Sequence, residues 1–338
     1  MSKKGLKEII KNQKNAIIYL SVFVVLAVIG VLVVLFVGES DEDMKNNRTD
    51  KIVKIGGVSC TPKQNIETYL IMGTDVRGKV SDEMKENPGQ ADTILVLVID
   101  RQENTYALLP IDRDTITDVD SLSKNGKYLA TTKIQLALAH ANGNGREQSC
   151  ENTVNAVSNL LHDQYIDDYV ALNRGAIKLL NHEVGGVTVP VEDDFSKVDK
   201  TLKKGSAVKL TDDQAEHYVH DRYDVGNETN ANRMKRQNNY LSGLKDVVSK
   251  KTESDKKFPV ELFKSLDDYM VTTLDGNAVS KISKAVLKNK YLGRFEIKGK
   301  SKTDKYGYNA FYYDKDSLNE VVRKLFYDEV KDETTKTK

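Results

Sequence analysis

Arginines and carboxylates recur at the ends of strand-like segments of this 338-residue chain: Asp75 and Arg77, Asp92, Arg113 and Asp114, Arg222, then Arg233, Arg236 and Gln237. Guanidinium forks match phosphate oxygens two at a time, and carboxylates hold divalent metals. Phosphate chemistry is the natural reading of that pairing. Each residue alone has a plainer reading. Asp75, in Gly73-Thr-Asp-Val-Arg-Gly78, could close an Asx turn, Asp92 could sit in an exposed turn, and Arg113 between two acids makes a surface ion pair by default. The Gly73 loop is not a Walker A loop, because the Gly-Lys-Ser/Thr ending is absent. Arg233 and Gln237, four apart, are neighbours on one helix face, and Arg236 partly shares it. Order and spacing taken together carry more than any single residue.

The elements that must position these groups read as α/β. Thr68 to Met72, Thr93 to Ile99 and Thr105 to Ile111 are apolar, β-branched runs. Unbroken runs of this kind suit a sheet covered on both faces. Helices are expected over Glu151–His162, Arg174–His182, from the capping box at Thr211-Asp-Asp-Gln214 to about His220, and over Asn232–Ser249. The last of these has a polar first turn and then Leu241, Leu244 and Val248, as in a helix that docks on a core and lifts its start into a cleft. Short strands are expected at Tyr169–Leu172 and Val187–Val191. After Lys250 the pattern weakens: Ala278–Lys288 and Asp316–Tyr327 read as helix and Tyr291–Ile297 as strand, completing the same core. Lys133, Ile134 and His140 read as solvated face, and His162, His182 and His217 as structural or exposed.

The amino terminus sets the compartment. Ala16 to Val37 carries no charge and is apolar apart from Tyr19, Ser21 and Gly30. About 20 such residues span a bilayer as a helix. Five lysines and one glutamate precede the run, and Glu39, Asp41, Glu42 and Asp43 follow it, so the amino terminus is expected in the cytoplasm and the rest outside. The run is longer than a signal-peptide core, and no small-residue cleavage site follows. The expected organisation is a cytoplasmic tail (1–15), a membrane span (16–37), an extracellular stalk (38–65), a folded domain (66–328, core 68–249) and a charged tail (329–338). Net charge is +1, of which the five lysines less one glutamate contribute +4, leaving −3 for the remainder. That balance argues against a nucleic-acid binder. Outside the cell ATP is scarce, so a phosphoryl donor must come another way, for example on a membrane lipid. Cys60 and Cys150 either form a bridge, worth roughly 4 kcal/mol for a long loop, or stay as free thiols; neither has metal-ligand spacing.

From the span through about Leu244 the chain resembles the LytR–CpsA–Psr proteins of the bacterial envelope. The likeness rests on Gly73-Thr-Asp75-Val-Arg77, Asp92-Thr93, Arg113-Asp114-Thr115, Asn173 through Gly185-Gly186-Val187-Thr-Val189, Leu210 through Gln214-Ala215, Tyr218-Val219 and Arg233-Met-Lys-Arg236-Gln237. It implies a three-layer α/β/α domain behind one transmembrane helix. The implied activity is a phosphotransferase that moves a glycopolymer, such as a teichoic acid or capsular polysaccharide, from a polyprenyl-pyrophosphate carrier to peptidoglycan. Asp75 and Asp92 would then bind Mg2+, and Arg113, Arg222, Arg233 and Gln237 the phosphates, beside an apolar pocket for the lipid. Arg77 and Arg236 are taken as further phosphate-binding residues, and Arg113 and Arg222 as the catalytic pair. Two positions depart from the family pattern: Gln90 stands where an arginine is usual, and so does His220, which restores part of that charge only when protonated. The departures keep open a non-catalytic lipid- or wall-binding scaffold, and a pyrophosphate hydrolase.

Overall fold

The structure, a computed structural model, describes residues 51–330 except 82, 83, 85, 124, 222, 229, 256 and 304–307. The expected span and cytoplasmic tail, Arg222, and the chain beyond residue 330 lie outside the described residues.

The apolar runs become the centre of one sheet. β3 (Ile66–Thr74), β4 (Ala91–Asp100) and β5 (Thr105–Pro110) form an antiparallel meander. β8 (Asp168–Asn173) joins β3 in parallel and β12 (Lys290–Arg294) joins β5 in parallel. β11 (Met270–Thr272) closes the edge against β8. The order is β11-β8-β3-β4-β5-β12. Both outer strands come from beyond Lys250, so that region belongs to the same sheet.

Side chains alternate across a strand, and on β4 both faces are covered. Leu95, Leu97 and Ile99 share a core with Leu180 of α3 (Ala176–Glu183), Tyr218 of α4 (Asp212–His220), Leu244 of α5 (Asn230–Ser254), Leu262 of α6 (Phe258–Ser265) and Ile282 of α7 (Gly276–Lys288). Ile94, Val96 and Val98 pack on the other side with Ala139 of α1 (Leu138–Ala141), Val157 of α2 (Glu147–Leu160) and Val322 of α8 (Lys315–Phe326). Each leucine, isoleucine or valine among them, fully buried, contributes roughly 1.5–3 kcal/mol. The result is three layers, α/β/α.

Three smaller pieces lie outside the sequence expectations. β1 (Val53–Ile55) and β2 (Val58–Pro62) pair with each other, and β2 pairs with β15 (Tyr327–Glu329), so the second half of the expected stalk is folded onto the chain's far end. β6 (Ile116–Leu122) and β7 (Tyr128–Gln135) form a hairpin, as do β13 (Gly299–Thr303) and β14 (Asn309–Tyr313). The Val187–Val191 run supplies β9 (Thr188–Pro190), paired with β10 (Ala207–Lys209). Cys60 and Cys150 are both buried and free; burial pushes both thiols up, which keeps them protonated.

Candidate functional site

Strand direction explains how residues far apart in sequence reach one edge. β3 ends, β4 begins, β5 ends and β8 ends on the same side of the sheet. Asp75 follows β3, Asp92 is the second residue of β4, Arg113 follows β5, and Asn173-Arg174 closes β8. Gly73 faces Thr93 and Thr74 faces Ala91, so Asp92 is the extra residue of a β-bulge. Bulges bend a strand and re-aim the side chain they carry.

Short backbone ties hold the loops. Asp75 donates its N–H to the Gln90 carbonyl (3.2 Å) and accepts the Gln90 N–H on Oδ1 (2.8 Å). Gly89 makes this approach possible: its φ is +73°, and an added Cβ would lie 2.4 Å from Val76 Cγ2 and 2.7 Å from Asp75 Oδ1. Leu136 and Ala137 stitch the loops together, with Ala137 donating to the Arg113 carbonyl (3.0 Å) and accepting from Ala91 (3.2 Å). On β8, buried Asn173 accepts from Thr74 Oγ1 and donates to the Gly78 carbonyl, both at 2.9 Å.

The charged groups then meet. Arg113 bonds the Asp92 carboxylate through one nitrogen and the Gln90 side-chain oxygen through another (2.8 Å). The family-atypical Gln90 thus steadies Arg113 rather than adding charge. Half the Asp92 side chain meets solvent, yet the buried part of its setting, by desolvation, pushes the carboxyl up; Asp75 adds to this, while Arg113 and Arg233 pull it down. Asp114 is also pushed up, by burial and then by Asp112 and Asp92. Arg233, from the first turns of α5, therefore lies within electrostatic reach of Asp92, and of His220 as well. Arg77 is exposed on the loop after Asp75.

Two residues differ from the sequence expectation. Arg236 is 2 % exposed, and its Nε donates to the Tyr218 carbonyl (2.8 Å). Its other nitrogens engage the Asp193 carboxylate and the Asp221 carbonyl, and its guanidinium lies 5.3 Å over the Phe195 ring. It is turned into the protein and braces the end of α4 instead of meeting solvent. His140, expected on a solvated face, is 1 % exposed, with Nδ1 3.0 Å from the Gly89 carbonyl. Burial pulls its pKa down, so the neutral ring donates from Nδ1 beneath the Asp75 loop. His220 is likewise pulled down, by burial first and then by Arg174 and Arg233, so it supplies little positive charge at neutral pH. Arg222 lies outside the described residues, as does the side chain of Gln237.

Sequence reasoning gave no functional role to Gly89, Arg174 or His140, and used Asn173 only as part of the family likeness. Only Gly89, in Pro88-Gly89, left a local signal of a tight turn; the others owe their place to contacts across the sheet.

Asp75 and Asp92 fit a divalent cation. Burial raises the Asp92 pKa and the nearby Asp75 carboxylate adds to it; a cation held by both would relieve the like-charge part. Among the described residues no cluster of three acidic, histidine or cysteine side chains is arranged to hold a metal. Two carboxylates completed by water and substrate oxygens is the manner of Mg2+ rather than of a closed all-protein site.

Comparison with known proteins agrees with this architecture. A polyisoprenyl-teichoic acid–peptidoglycan teichoic acid transferase TagU of Enterococcus faecalis is 27 % identical over 261 residues, covering 76 % of this chain and 78 % of that protein. A TagU of Halalkalibacterium halodurans is 29 % identical over 182 residues, 54 % of this chain and 53 % of its own length. Among solved structures, TagV of B. subtilis aligns over 77 % of this chain and 96 % of its own, with a TM-score of 0.51 at 22 % identity. TagT bound to LI-WTA aligns over 84 % and 95 %, with a TM-score of 0.50 at 21 % identity. These last two likenesses speak for the fold alone. The LytR_cpsA_psr family model matches residues 31–326, and the chain belongs to that family.

Proposed function

We propose that this protein is a phosphotransferase that moves a glycopolymer, of the teichoic acid kind, from a polyprenyl-pyrophosphate carrier to peptidoglycan. The single observation that carries this reading is the meeting of Asp75, Asp92, Arg113 and Arg233 on one sheet edge. The names of the TagU relatives support the substrate class. We further propose that Ala16–Val37 anchors the domain beside a lipid-borne donor.

A peptidoglycan hydroxyl attacks the phosphorus nearer the glycopolymer. A new phosphodiester bond forms, the anhydride P–O bond breaks, and polyprenyl phosphate leaves with the electron pair. The anhydride supplies the driving force, so no nucleotide is consumed. Arg113 and Arg233, joined by Arg77 and Arg222, hold the diphosphate and stabilise charge that builds on its oxygens. Asp75 and Asp92 would hold Mg2+, which supplies charge neutralisation at the diphosphate. Asp114 is pushed up in pKa by burial and then by Asp112, a shift that suits proton acceptance from the hydroxyl. Arg236 keeps α4 in place.

Purified full-length protein with a lipid-linked donor and peptidoglycan tests this. Arg113→Ala and Arg222→Ala should each abolish transfer while the melting temperature holds. Full activity in either variant refutes the assignment. A second reading, binding without turnover, draws on neutral His220 and on Gln90, which leave the pocket fewer fixed charges. It predicts donor binding with no polyprenyl phosphate released. Release without peptidoglycan would instead identify a hydrolase.

A further inference from the structure

Arg174 lies at this sheet edge inside the Asn173–Gly185 stretch of the family likeness, yet neither motif spacing nor that likeness gives it a role. It follows β8 directly, and its backbone N–H donates to the Val76 carbonyl (2.7 Å), which fixes it beside the Asp75–Arg77 loop. Its side chain is only 14 % exposed. One nitrogen bonds Glu216 Oε1 on α4 at 3.0 Å, and its Nε is buried with no acceptor among the described residues. Glu216 is shared: Lys178 approaches its other oxygen at 3.1 Å and also binds Asp213 at 2.7 Å. One carboxylate divided between two cations leaves the guanidinium with uncompensated positive charge. Glu216 precedes His220 by four residues, so the two share one face of α4 and that charge sits beside the histidine.

We propose that Arg174 is a further phosphate-holding residue, which supplies from β8 the fixed positive charge missing at position 220. The proposal rests on the donor-binding reading above. A buried N–H without an acceptor costs free energy unless a ligand completes it, and phosphate oxygens are natural partners for a guanidinium. The electrostatics agree: burial and then Arg77 depress the Arg174 pKa, and burial and then Arg174 depress that of His220, so Arg174 lies within electrostatic reach of both. Asp221 partly offsets them. The rival view is a purely structural clasp between β8 and α4 through Glu216.

Calorimetric titration of the full-length chain with geranylgeranyl pyrophosphate and Mg2+ separates the two. Arg174→Gln should weaken binding about tenfold, and less for geranylgeranyl monophosphate, while Glu216→Gln should bind as tightly as wild type or tighter. Arg174→Lys should recover part of the loss, since charge returns without the fork. Equal loss of melting temperature and affinity in Arg174→Gln and Glu216→Gln would make Arg174 a clasp and overturn the proposal. So would wild-type affinity in Arg174→Gln when Arg113→Ala has lost binding. If Arg113→Ala also binds normally, or wild type does not bind at all, the donor-binding reading falls with it.

Discussion

A single methyl group at Gly175 should displace the candidate site. Gly175 has φ −59° and ψ −21°, so alanine suits its backbone. On conformational entropy alone the change would add about 0.4–1 kcal/mol of stability. The obstacle is contact: an added Cβ would lie 2.1 Å from the Arg77 carbonyl oxygen and 2.7 Å from Tyr269 Cε1. An ordinary contact begins near 3.4 Å, so the Arg77 carbonyl must retreat by the difference, 1.3 Å. That carbonyl belongs to the loop that carries Asp75 and Arg77, tied on either side by Val76 to Arg174 and by Gly78 to Asn173. Overpacking typically costs about 1–3 kcal/mol, which the entropic gain partly offsets. A displacement of about 1 Å at a reacting centre can cost a hundredfold in rate. Gly175→Ala should therefore lose about 1–2 kcal/mol in urea unfolding and about a hundredfold in transfer. Both are measured on purified protein, the second with lipid-linked donor and peptidoglycan. Wild-type turnover in a variant with wild-type stability would refute the crowding argument. Wild-type turnover in a destabilised variant would show that the loop does not carry the site.

Other consequences follow from burial and charge. Asp92 has a raised pKa, so its ionisation costs stability that is absent below the carboxylate range and complete above the folded value. Asp92→Asn should raise the melting temperature near pH 7 without magnesium and leave it unchanged near pH 3; a lower value at neutral pH would contradict the assignment. Saturating magnesium should stabilise wild type, by about 2.7 kcal/mol at a hundredfold excess over Kd, and Asp92→Asn little. For His140 the sign is opposite: its depressed pKa means the unfolded chain takes the proton first, so stability falls as pH drops below about 6.5. His140→Asn should flatten that slope in melts between about pH 7 and pH 5, and an unchanged slope would move the dependence elsewhere. Arg236→Ala strands Asp193 without its buried partner and should cost about 3–5 kcal/mol in chemical denaturation. A loss under about 1 kcal/mol would mean the pair is solvated.

The sequence by itself determined the layers. Apolar β-branched runs specified β3, β4 and β5, and their lack of a polar face required cover on both sides. The Thr211 capping box specified the start of α4, and the structure has both of its reciprocal bonds. Residue type and order, together with the family resemblance, marked Asp75, Asp92, Arg113 and Arg233 as candidates for phosphate and metal binding, because those chemistries need few kinds of side chain. Tertiary structure decided everything that depends on a partner distant in the chain. β2 owes its place to β15, about 270 residues on, and neither strand advertises the other. β7 carries mostly exposed side chains and so lacks the alternation that marks a half-buried strand. Whether a cation meets solvent or the core is likewise not local. Arg233 and Arg236 lie on adjoining parts of one helix, yet the Asp193 carboxylate and two backbone carbonyls draw Arg236 fully into the core while Arg233 stays half-buried. His140 and Arg174 gave no sign in the sequence, since their burial comes from loops that meet only once the sheet has formed.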